Sequence, residues 1–378
     1  MSSSFAKTGC ATIGIILALL GLNQLQGMAG QSHGERLFKK VIAEMRNNGL
    51  NREDFDTLAG GYYEGLQQNA GPGGLPGERD DVRFRDDFRR YEFRPNVRRS
   101  YAAGMRITNS LGMPNPEYLY AKPAGTRRIA WFGDSISVGP YGQDFLTLLE
   151  RRLNQDDLSP SVRHFEILNF AVYGYSVLQM MDTALNTAPQ FHPDVYVVAL
   201  SGLELDRKAG WRTHVGRLIV SHTDLKYDYL KHVVTEAGVA PTDHLPSVRI
   251  KLTPYFAPVV AWALQQIQHQ AESQGASMMI VMVPAPIDPS FTESDFNRLH
   301  KIIDPLGIPI IDLRDTFRGV DLDAVHVDKV KDIHPNVRGH EMIYENLYPR
   351  LHAQPQAWAD IVGSEAGVQQ ASKLPERQ

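Results

Sequence analysis

The stretch RRIAWFGDSISVGPYG, residues 127–142, decides how the rest of the chain is interpreted. An apolar run from Ile129 to Phe132 ends abruptly at Gly133, as a short buried strand does. An aspartate and two serines follow, and then a glycine–proline pair. This small polar turn is either an ordinary connection from a strand to a helix or a place where the chain presents a hydroxyl for chemistry.

Downstream of this stretch, apolar runs alternate with amphipathic segments. Further strands are predicted at 164–174, 194–202, 277–286 and 308–317, and helices at 141–154, 176–186 and 254–275. Strands that alternate with helices build a parallel sheet with right-handed crossovers. The unbroken apolar run of the third strand is typical of a sheet covered on both faces. The sequence therefore predicts an α/β fold with a five-stranded parallel sheet.

Small polar residues follow several of these strands, at the sheet edge where ligands of such folds bind. A serine hydroxyl becomes nucleophilic when an imidazole, held by a third group, takes its proton. Ser135 follows the first strand, and DIHPNVRGH (332–340) places His334 just before an amphipathic C-terminal helix. Asp332 is the candidate third group. The backbone N–H groups of Ser135 and Gly174 are candidate donors to an oxyanion.

Four short motifs together resemble the SGNH, or GDSL-type, serine hydrolase family. They are GDSIS, NFAVYGYS and SGLELD after the first three strands and HPNVRGH near the end, within residues 127–351. The resemblance implies a flavodoxin-like three-layer α/β/α fold and ester hydrolysis without a metal or organic cofactor. It implies Ser135 as the nucleophile, Gly174 as the second oxyanion donor and His334 as the base.

Two positions depart from the family pattern. Alignment of the third strand puts Leu203 where the family has an oxyanion-donating asparagine. The loss of one such donor costs about 3–4 kcal/mol of transition-state stabilisation. Asn169 and Asn336 are candidate replacements. The second departure is Lys331, which stands where the family has the aspartate that orients the histidine.

The acid partner of the histidine therefore stays open. Asp332 is displaced by one residue from the family position, and Asp328 is another candidate. Asp323 and His326 form an alternative pair, because they have the spacing of three residues that the family has between its aspartate and histidine. This pair is less favoured, since the Pro-Asn and Gly-His residues of the family motif follow His334 and not His326. A Ser–His dyad with a carbonyl in place of the acid is a further alternative.

Several of these residues also have ordinary structural interpretations. Ser135 alone would be interpreted as a helix N-cap, and Ser137 is the alternative hydroxyl. Asp134 is expected to support the turn by hydrogen bonding rather than to react. His192 and His340 are expected to be structural.

The N-terminus has the pattern of an export signal. Lys7 precedes an apolar run from Cys10 to Leu22, and a small-x-small cleavage pattern follows at 27–29. A spanning helix usually needs about 20 apolar residues, so an anchor formed by residues 8–30 is the second interpretation. The stretch ITNSLGMPNPEYLYAKPAGTRRI is similar to the lead-in of many secreted bacterial members of the family. We expect a periplasmic or secreted protein.

The predicted domain organisation follows from these segments. It comprises a signal peptide or anchor (1–30), an accessory region (31–125), a hydrolase domain (126–353) with a helical cap insert (206–256), and a C-terminal tail (354–378).

The charge pattern restricts the class of partner. The formal net charge is −4 and charges of both signs are mixed, so we expect no nucleic-acid partner. The sequence predicts an exported serine esterase that acts on acetyl or short acyl esters of a carbohydrate or lipid. The alternatives are a non-catalytic binding or scaffold protein on the same fold and an O-acyltransferase of envelope polysaccharide.

Overall fold

The computed structural model gives the structure of the chain from residue 81 to residue 363, with short internal gaps. The described ranges are 81–101, 104–114, 116–156, 158–201, 210–287, 289–328 and 332–363. The expected signal peptide or anchor and the accessory region up to residue 80 lie outside the described residues. None of the helices within these ranges combines the length and the hydropathy that a membrane crossing requires.

Two antiparallel hairpins precede the main sheet. Strand β1 (Val82–Phe84) pairs with β2 (Tyr91–Phe93), and β3 (Arg98–Tyr101) pairs with β4 (Gly104–Ile107). The alternation of Asp and Arg in this region predicts a solvated, salt-bridged surface, and the structure places such a surface on one face only. Because alternate residues of a strand face opposite sides, Tyr91 and Phe93 are buried while Glu92, between them, pairs with arginines.

The main sheet has five strands, all parallel to their neighbours. They are β5 (Thr126–Phe132), β6 (His164–Asn169), β7 (Val195–Leu200), β8 (Ser277–Met282) and β9 (Ile310–Asp312). Their order is β6-β5-β7-β8-β9, which is the flavodoxin-like order 2-1-3-4-5. The predicted fold class is therefore confirmed.

Two further strands form a small antiparallel hairpin near the C-terminus. Strand β10 (His326–Asp328) pairs with β11 (Asp332–Pro335), and β11 contacts the turn that follows β5.

Helices cover both faces of the main sheet. In the described ranges the α-helices are α1 (Phe145–Gln155), α2 (Val177–Asn186), α3 (Trp211–Val220), α4 (Asp228–Glu236), α5 (Leu245–Lys251), α6 (Phe256–Ser273), α7 (Pro289–Ile303), α8 (Val337–His352) and α9 (Pro355–Val362). Helices α3, α4 and α5 lie within the segment predicted as the insert, and α9 lies within the segment predicted as the tail.

The alternation of side chains along β5 supplies both halves of the core. Ile129 and Trp131 belong to a cluster with apolar residues of α1, α8 and α9. Phe132, which points to the other face, stacks on Phe170 and Tyr196 with ring centroids 5.5 and 5.7 Å apart. Helices α2 and α6 pack together and contact the sheet.

Helix boundaries follow the capping residues. Helix α1 begins at Phe145 rather than at the predicted Tyr141, because the Asp144 carboxylate accepts hydrogen bonds from the N–H groups of Leu146 and Thr147 at 3.1 and 2.9 Å. Helix α2 begins after Ser176, which forms a capping box with Gln179.

Candidate active site

The turn after β5 presents Ser135 at the start of a short 3₁₀ segment, Ser135–Ser137. Asp134 caps this segment, since its Oδ1 accepts the Ile136 N–H at 2.9 Å. Its Oδ2 accepts the hydroxyl of Ser201, which follows β7. Burial raises the pKa of the Asp134 carboxyl, and the hydrogen bond from Ser201 opposes that shift. Asp134 therefore supports the turn by joining the ends of two strands, as predicted.

The second hydroxyl of the turn is held inside the core. The Trp131 indole N–H donates to Ser137 Oγ at 3.1 Å, and Ser137 is buried. Its hydroxyl is thus oriented by the core, whereas Ser135 faces the imidazole described next.

The side chains of Ser135 and His334 meet. His334 Nε2 lies 2.8 Å from Ser135 Oγ, although the two residues are 199 positions apart in the chain. This is hydrogen-bond distance, and the nitrogen accepts the hydroxyl proton when it carries no hydrogen. The Ser135 side chain is nearly enclosed, with 9% of the residue exposed. This arrangement can activate the hydroxyl as a nucleophile.

Asn336 holds the segment that carries the histidine. Its Oδ1 accepts the Gly339 N–H at 3.0 Å and so caps α8. Its Nδ2 donates to the carbonyl oxygens of Ala324 and His326 at 3.0 and 2.9 Å. Because both amide hydrogens are used, the expectation that Asn336 replaces the missing oxyanion donor is wrong, and its amide stabilises the loop instead.

The loop after β6 contains Gly174 in a left-handed conformation, with φ +64°. Only glycine adopts this region at little cost. The Val172 N–H donates to the Gly133 carbonyl at 3.3 Å, so this loop is hydrogen-bonded to the turn that carries Ser135. Asn169, the other candidate replacement donor, donates from Nδ2 to the Ser137 carbonyl at 2.9 Å and joins the same two segments.

The hairpins hold the Gly174 loop from the other side. The Tyr91 hydroxyl donates to the Tyr173 carbonyl at 2.8 Å, and the Tyr175 hydroxyl donates to the Tyr91 carbonyl at 2.6 Å. Phe93 packs edge-on against Tyr173, with ring centroids 4.9 Å apart. The conformation of Gly174 is thus fixed by strand β2.

Arg106 of β4 contacts both loops of the site. Its Nη1 donates to the Gly139 carbonyl at 2.7 Å, and its guanidinium lies 5.2 Å from the centre of the Tyr173 ring. Gly139 precedes α1 in the Ser135 turn, and Tyr173 precedes Gly174. No motif in the sequence points to Arg106, because it lies in a hairpin far from the catalytic motifs. The sequence alone therefore gives no indication that Arg106 lies at the site.

His340 is a core residue, as expected. It stacks on Phe145 with ring centroids 5.8 Å apart, and burial lowers the pKa of its imidazole to about 3. A Cβ on Gly139 would come within 2.7 Å of this ring, so glycine is required for the close packing.

Of the candidate acids, only Asp323 has a side chain within the described residues. Asp323 is exposed, in a 3₁₀ turn. The side chains of Asp328 and Asp332 lie outside the described residues, as do Leu203 and Lys331. Their roles therefore stay predictions. In the described ranges no group of three or more His, Cys, Asp or Glu residues is arranged to hold a metal ion.

Comparisons with known proteins bear on the region around this site. The family model described as GDSL-like lipase/acylhydrolase family matches residues 131–342. A search of curated proteins by sequence gives no match.

Several solved structures are similar to this chain. The crystal structure of TesA has 15% identity and a TM-score of 0.37, covering 60% of this chain and 99% of that one. The psychrotrophic esterase EstA from Pseudoalteromonas sp. has 10% identity, a TM-score of 0.36 and coverage of 60% and 97%. A catalytic mutant of Axe2, an acetylxylan esterase from Geobacillus stearothermophilus, has 12% identity, a TM-score of 0.38 and coverage of 63% and 95%.

Proposed function

This chain belongs to the GDSL-like lipase/acylhydrolase family and is a carboxylic ester hydrolase, and we propose that it hydrolyses short acyl esters with Ser135 as nucleophile and His334 as base. The observation that carries the proposal is the 2.8 Å separation of His334 Nε2 and Ser135 Oγ. A nucleophile within hydrogen-bond distance of an imidazole is the arrangement that acyl transfer to serine requires.

The proposed reaction proceeds through an acyl-enzyme. His334 Nε2 takes the proton of Ser135 Oγ as this oxygen attacks the ester carbonyl. The protonated imidazole then gives its proton to the leaving alkoxide, and the C–O bond of the ester breaks. In the second half, His334 takes a proton from water, whose oxygen attacks the acyl carbonyl. Ser135 leaves and regains its proton, and the acid is released.

The oxyanion of each tetrahedral intermediate is assigned to backbone donors. The N–H groups of Ser135 and Gly174 lie in the two hydrogen-bonded loops that follow β5 and β6. Fixed donors that do not reorganise during the reaction stabilise the developing charge most effectively. In this proposal, the hairpin strands that hold the Gly174 loop keep its N–H in a fixed position.

A fluorophosphonate probe tests the nucleophile. We expect covalent labelling at Ser135 in the wild-type protein and none in Ser135→Ala. The matched control is Ser137→Ala, which removes the neighbouring hydroxyl, bound by the Trp131 indole, and should retain labelling. A folded Ser135→Ala protein that is labelled as fast as the wild type would remove the assignment.

The preference for short acyl groups is supported by the enclosure of the nucleophile, since only 9% of Ser135 is exposed. The test is a series of 4-nitrophenyl esters from acetate to octanoate. We expect kcat/KM to be highest for acetate or propionate and to fall with each added pair of methylenes. A maximum at octanoate would contradict the proposal.

We also propose that the protein is exported. The support is the sequence alone, with Lys7 before the apolar run from Cys10 to Leu22. Fractionation of the producing cells followed by N-terminal sequencing tests this. The expected result is a periplasmic or secreted protein that begins close to residue 30, and a full-length protein in the cytoplasm would refute export.

A further inference from the structure

A cavity of about 380 Å³ lies between the hairpins and the hydrolase sheet. Its walls come from the hairpins and the loop 110–114, from residues 169–172 of the loop after β6, and from the C-terminal half of α2. A volume of this size is in the range of small-molecule binding sites. Neither Ser135 nor His334 is among the residues that line it.

The charged side chains among the lining residues are three arginines and one glutamate: Arg83, Arg85, Arg89 and Glu92. Glu92 is occupied by two of the arginines, since Arg83 Nε and Arg85 Nη1 donate to its two oxygens at 2.7 and 2.8 Å. Asp87, which does not line the cavity, also pairs with Arg85 at 2.6 Å. The third arginine, Arg89, lies farther from its carboxylate partners, at 3.5 Å from Asp182 and 3.7 Å from Glu92.

Arg89 is largely buried, with 14% of its side chain exposed. Its Nη1 donates to Thr187 Oγ1 at 3.3 Å, and Nη2 lies 3.7 Å from Glu92 Oε2. Its Nε is 3.5 Å from Asp182 Oδ2 and makes no hydrogen bond. These are long contacts for a guanidinium, whose bonds to carboxylates are usually about 2.7–2.9 Å. A mostly buried cation with so few short contacts can accept an anion at low cost in further desolvation.

Asp182 compensates Arg89 only in part, because its carboxylate has several other partners at its second oxygen. Lys226 Nζ and the Tyr227 hydroxyl both donate to Asp182 Oδ1, the latter at 2.6 Å. Asn186 Nδ2 contacts the same oxygen at 3.1 Å. The short hydrogen bonds of the Asp182 carboxylate are therefore made with Lys226 and Tyr227, which precede α4, and not with Arg89.

The rest of the lining combines apolar and polar side chains, as a site for a hydroxyl-bearing ring does. Aromatic rings and side-chain amides both face the cavity, and among them are Tyr120, Phe191, Asn186 and Gln190. Aromatic faces pack against the C–H surface of a ring, while amides donate to and accept from its hydroxyl groups.

The cavity shares a loop with the catalytic site. Val172 and Tyr175 line the cavity on either side of Gly174 in the chain. The Val172 N–H donates to the carbonyl of Gly133, two residues before Ser135. A molecule that occupies the cavity therefore contacts the loop that is assigned to oxyanion stabilisation.

We propose that this cavity binds an anionic group, a carboxylate or a phosphate, carried by a ring-sized polar part of the substrate, with Arg89 as the principal contact. The inference rests on the proposed function, since it takes the bound group to be part of the ester substrate. It makes the substrate class an ester of an acidic, hydroxyl-rich molecule.

Calorimetric binding to the Ser135→Ala protein tests this without turnover. The probes are glucuronate, glucose 6-phosphate and glucose, which share a ring and differ in charge. We expect at least one anion to bind at least about tenfold more tightly than glucose. The tighter of the two anions identifies the group as a carboxylate or a phosphate.

Two variants assign the effect to Arg89. Arg89→Gln should abolish the preference for the anion, whereas Arg338→Gln, a change at an exposed arginine of α8, should leave it intact. If Arg89→Gln does not fold, Arg89→Lys takes its place and should weaken anion binding severalfold, because lysine lacks the forked donors. Unchanged anion affinity in a folded Arg89 variant would overturn the proposal, as would equal binding of glucose and both anions.

The outcomes also separate this inference from the proposed function. Anion-selective binding by a protein whose wild type hydrolyses no ester would refute the function and keep the cavity site. Ester hydrolysis by a protein that binds no anion in preference to glucose would support the function and refute the cavity site.

Discussion

Ser135 and His334 lie 199 residues apart, yet their side chains meet at 2.8 Å because each is held by a neighbouring side chain. Asp134 fixes the turn after β5, and Asn336 fixes the start of α8. Both residues act here through hydrogen bonds from backbone N–H groups. The chemistry of the site therefore depends on two ordinary helix-capping interactions.

Arg106 gives the first test at this scale. It joins the Gly139 carbonyl to the Tyr173 ring, so Arg106→Gln should loosen both loops of the site. We expect kcat for 4-nitrophenyl acetate to fall about tenfold or more with little change in KM, because positioning of the reacting groups is lost. Arg106→Lys should recover part of the loss, since lysine keeps the charge.

The matched control for Arg106 is Arg98→Gln, on the paired strand β3, where the side chain is exposed. It should keep the wild-type kcat and melting temperature. A kcat in Arg106→Gln equal to that in the control would show that Arg106 does not position the site.

At the scale of elements, the sequence predicted the strands of the sheet and their order along the chain because buried parallel strands are continuous apolar runs. The run Val195–Leu200 is an example. The ends were predicted less well. Within the segment 308–317 the strand covers only Ile310–Asp312, because the chain turns after Leu313, whose carbonyl accepts the Thr316 N–H at 2.9 Å.

The site residues that belong to sequence motifs were singled out from the sequence. The residues that reach the site only through tertiary contacts were not. Ser135, Gly174 and His334 follow strands or precede a helix in a recognisable order. Arg106 contacts a residue more than 30 positions away in the sequence, and Tyr91 contacts one more than 80 positions away. The sequence of a short hairpin with mixed charges does not indicate such distant contacts.

Asn336 tests the role of an element boundary. Asn336→Ala removes the cap of α8 and two hydrogen bonds to carbonyl oxygens. We expect the free energy of unfolding to fall by about 1–3 kcal/mol and kcat to fall as His334 loses its fixed position. Urea unfolding and steady-state kinetics measure the two effects.

Asn336→Asp is the informative partner of this variant. It keeps the acceptor for the Gly339 N–H but loses the donors to Ala324 and His326. If the loop hydrogen bonds position the histidine, the aspartate variant should lose activity as the alanine variant does. Wild-type kcat in both variants would contradict this account of Asn336.

At the scale of the whole molecule, the hairpins and the hydrolase sheet belong to one compact unit. Lys122 pairs with Asp194 at 2.7 Å, and the buried Arg128 donates to the carbonyl oxygens of Leu119, Tyr120 and Phe191. The segment that leads from the hairpins into β5 is thus fixed to the base of the sheet. The hairpins support the active site rather than forming an independent appendage.

The pH dependence of global stability provides a test at the same scale. Burial raises the pKa of the Glu150 carboxyl to about 7, and the hydrogen bonds from Ile167 and Tyr118 only partly oppose this. The folded protein therefore holds this proton more tightly than the unfolded chain does. The stabilisation that the proton gives is complete below pH 4.5 and is lost as the pH rises towards 7.

Glu150→Gln should remove this component. Relative to the wild type, the variant should gain stability as the pH rises from about 5 to 8, by up to about 3 kcal/mol. Thermal or urea unfolding of both proteins across this range measures the difference. A difference in unfolding free energy that is the same at every pH would show that Glu150 is ionised throughout the range.

The measurement that most directly tests the catalytic assignment is the turnover of 4-nitrophenyl acetate by Ser135→Ala, by His334→Ala and by the double variant. Residues that act as one unit are not additive, so each single change should lower kcat by about 10⁴ or more and the second change should cost little further. Circular dichroism confirms the fold of each variant. A Ser135→Ala protein with wild-type turnover, or single losses that multiply in the double variant, would contradict the pairing of this serine with this histidine.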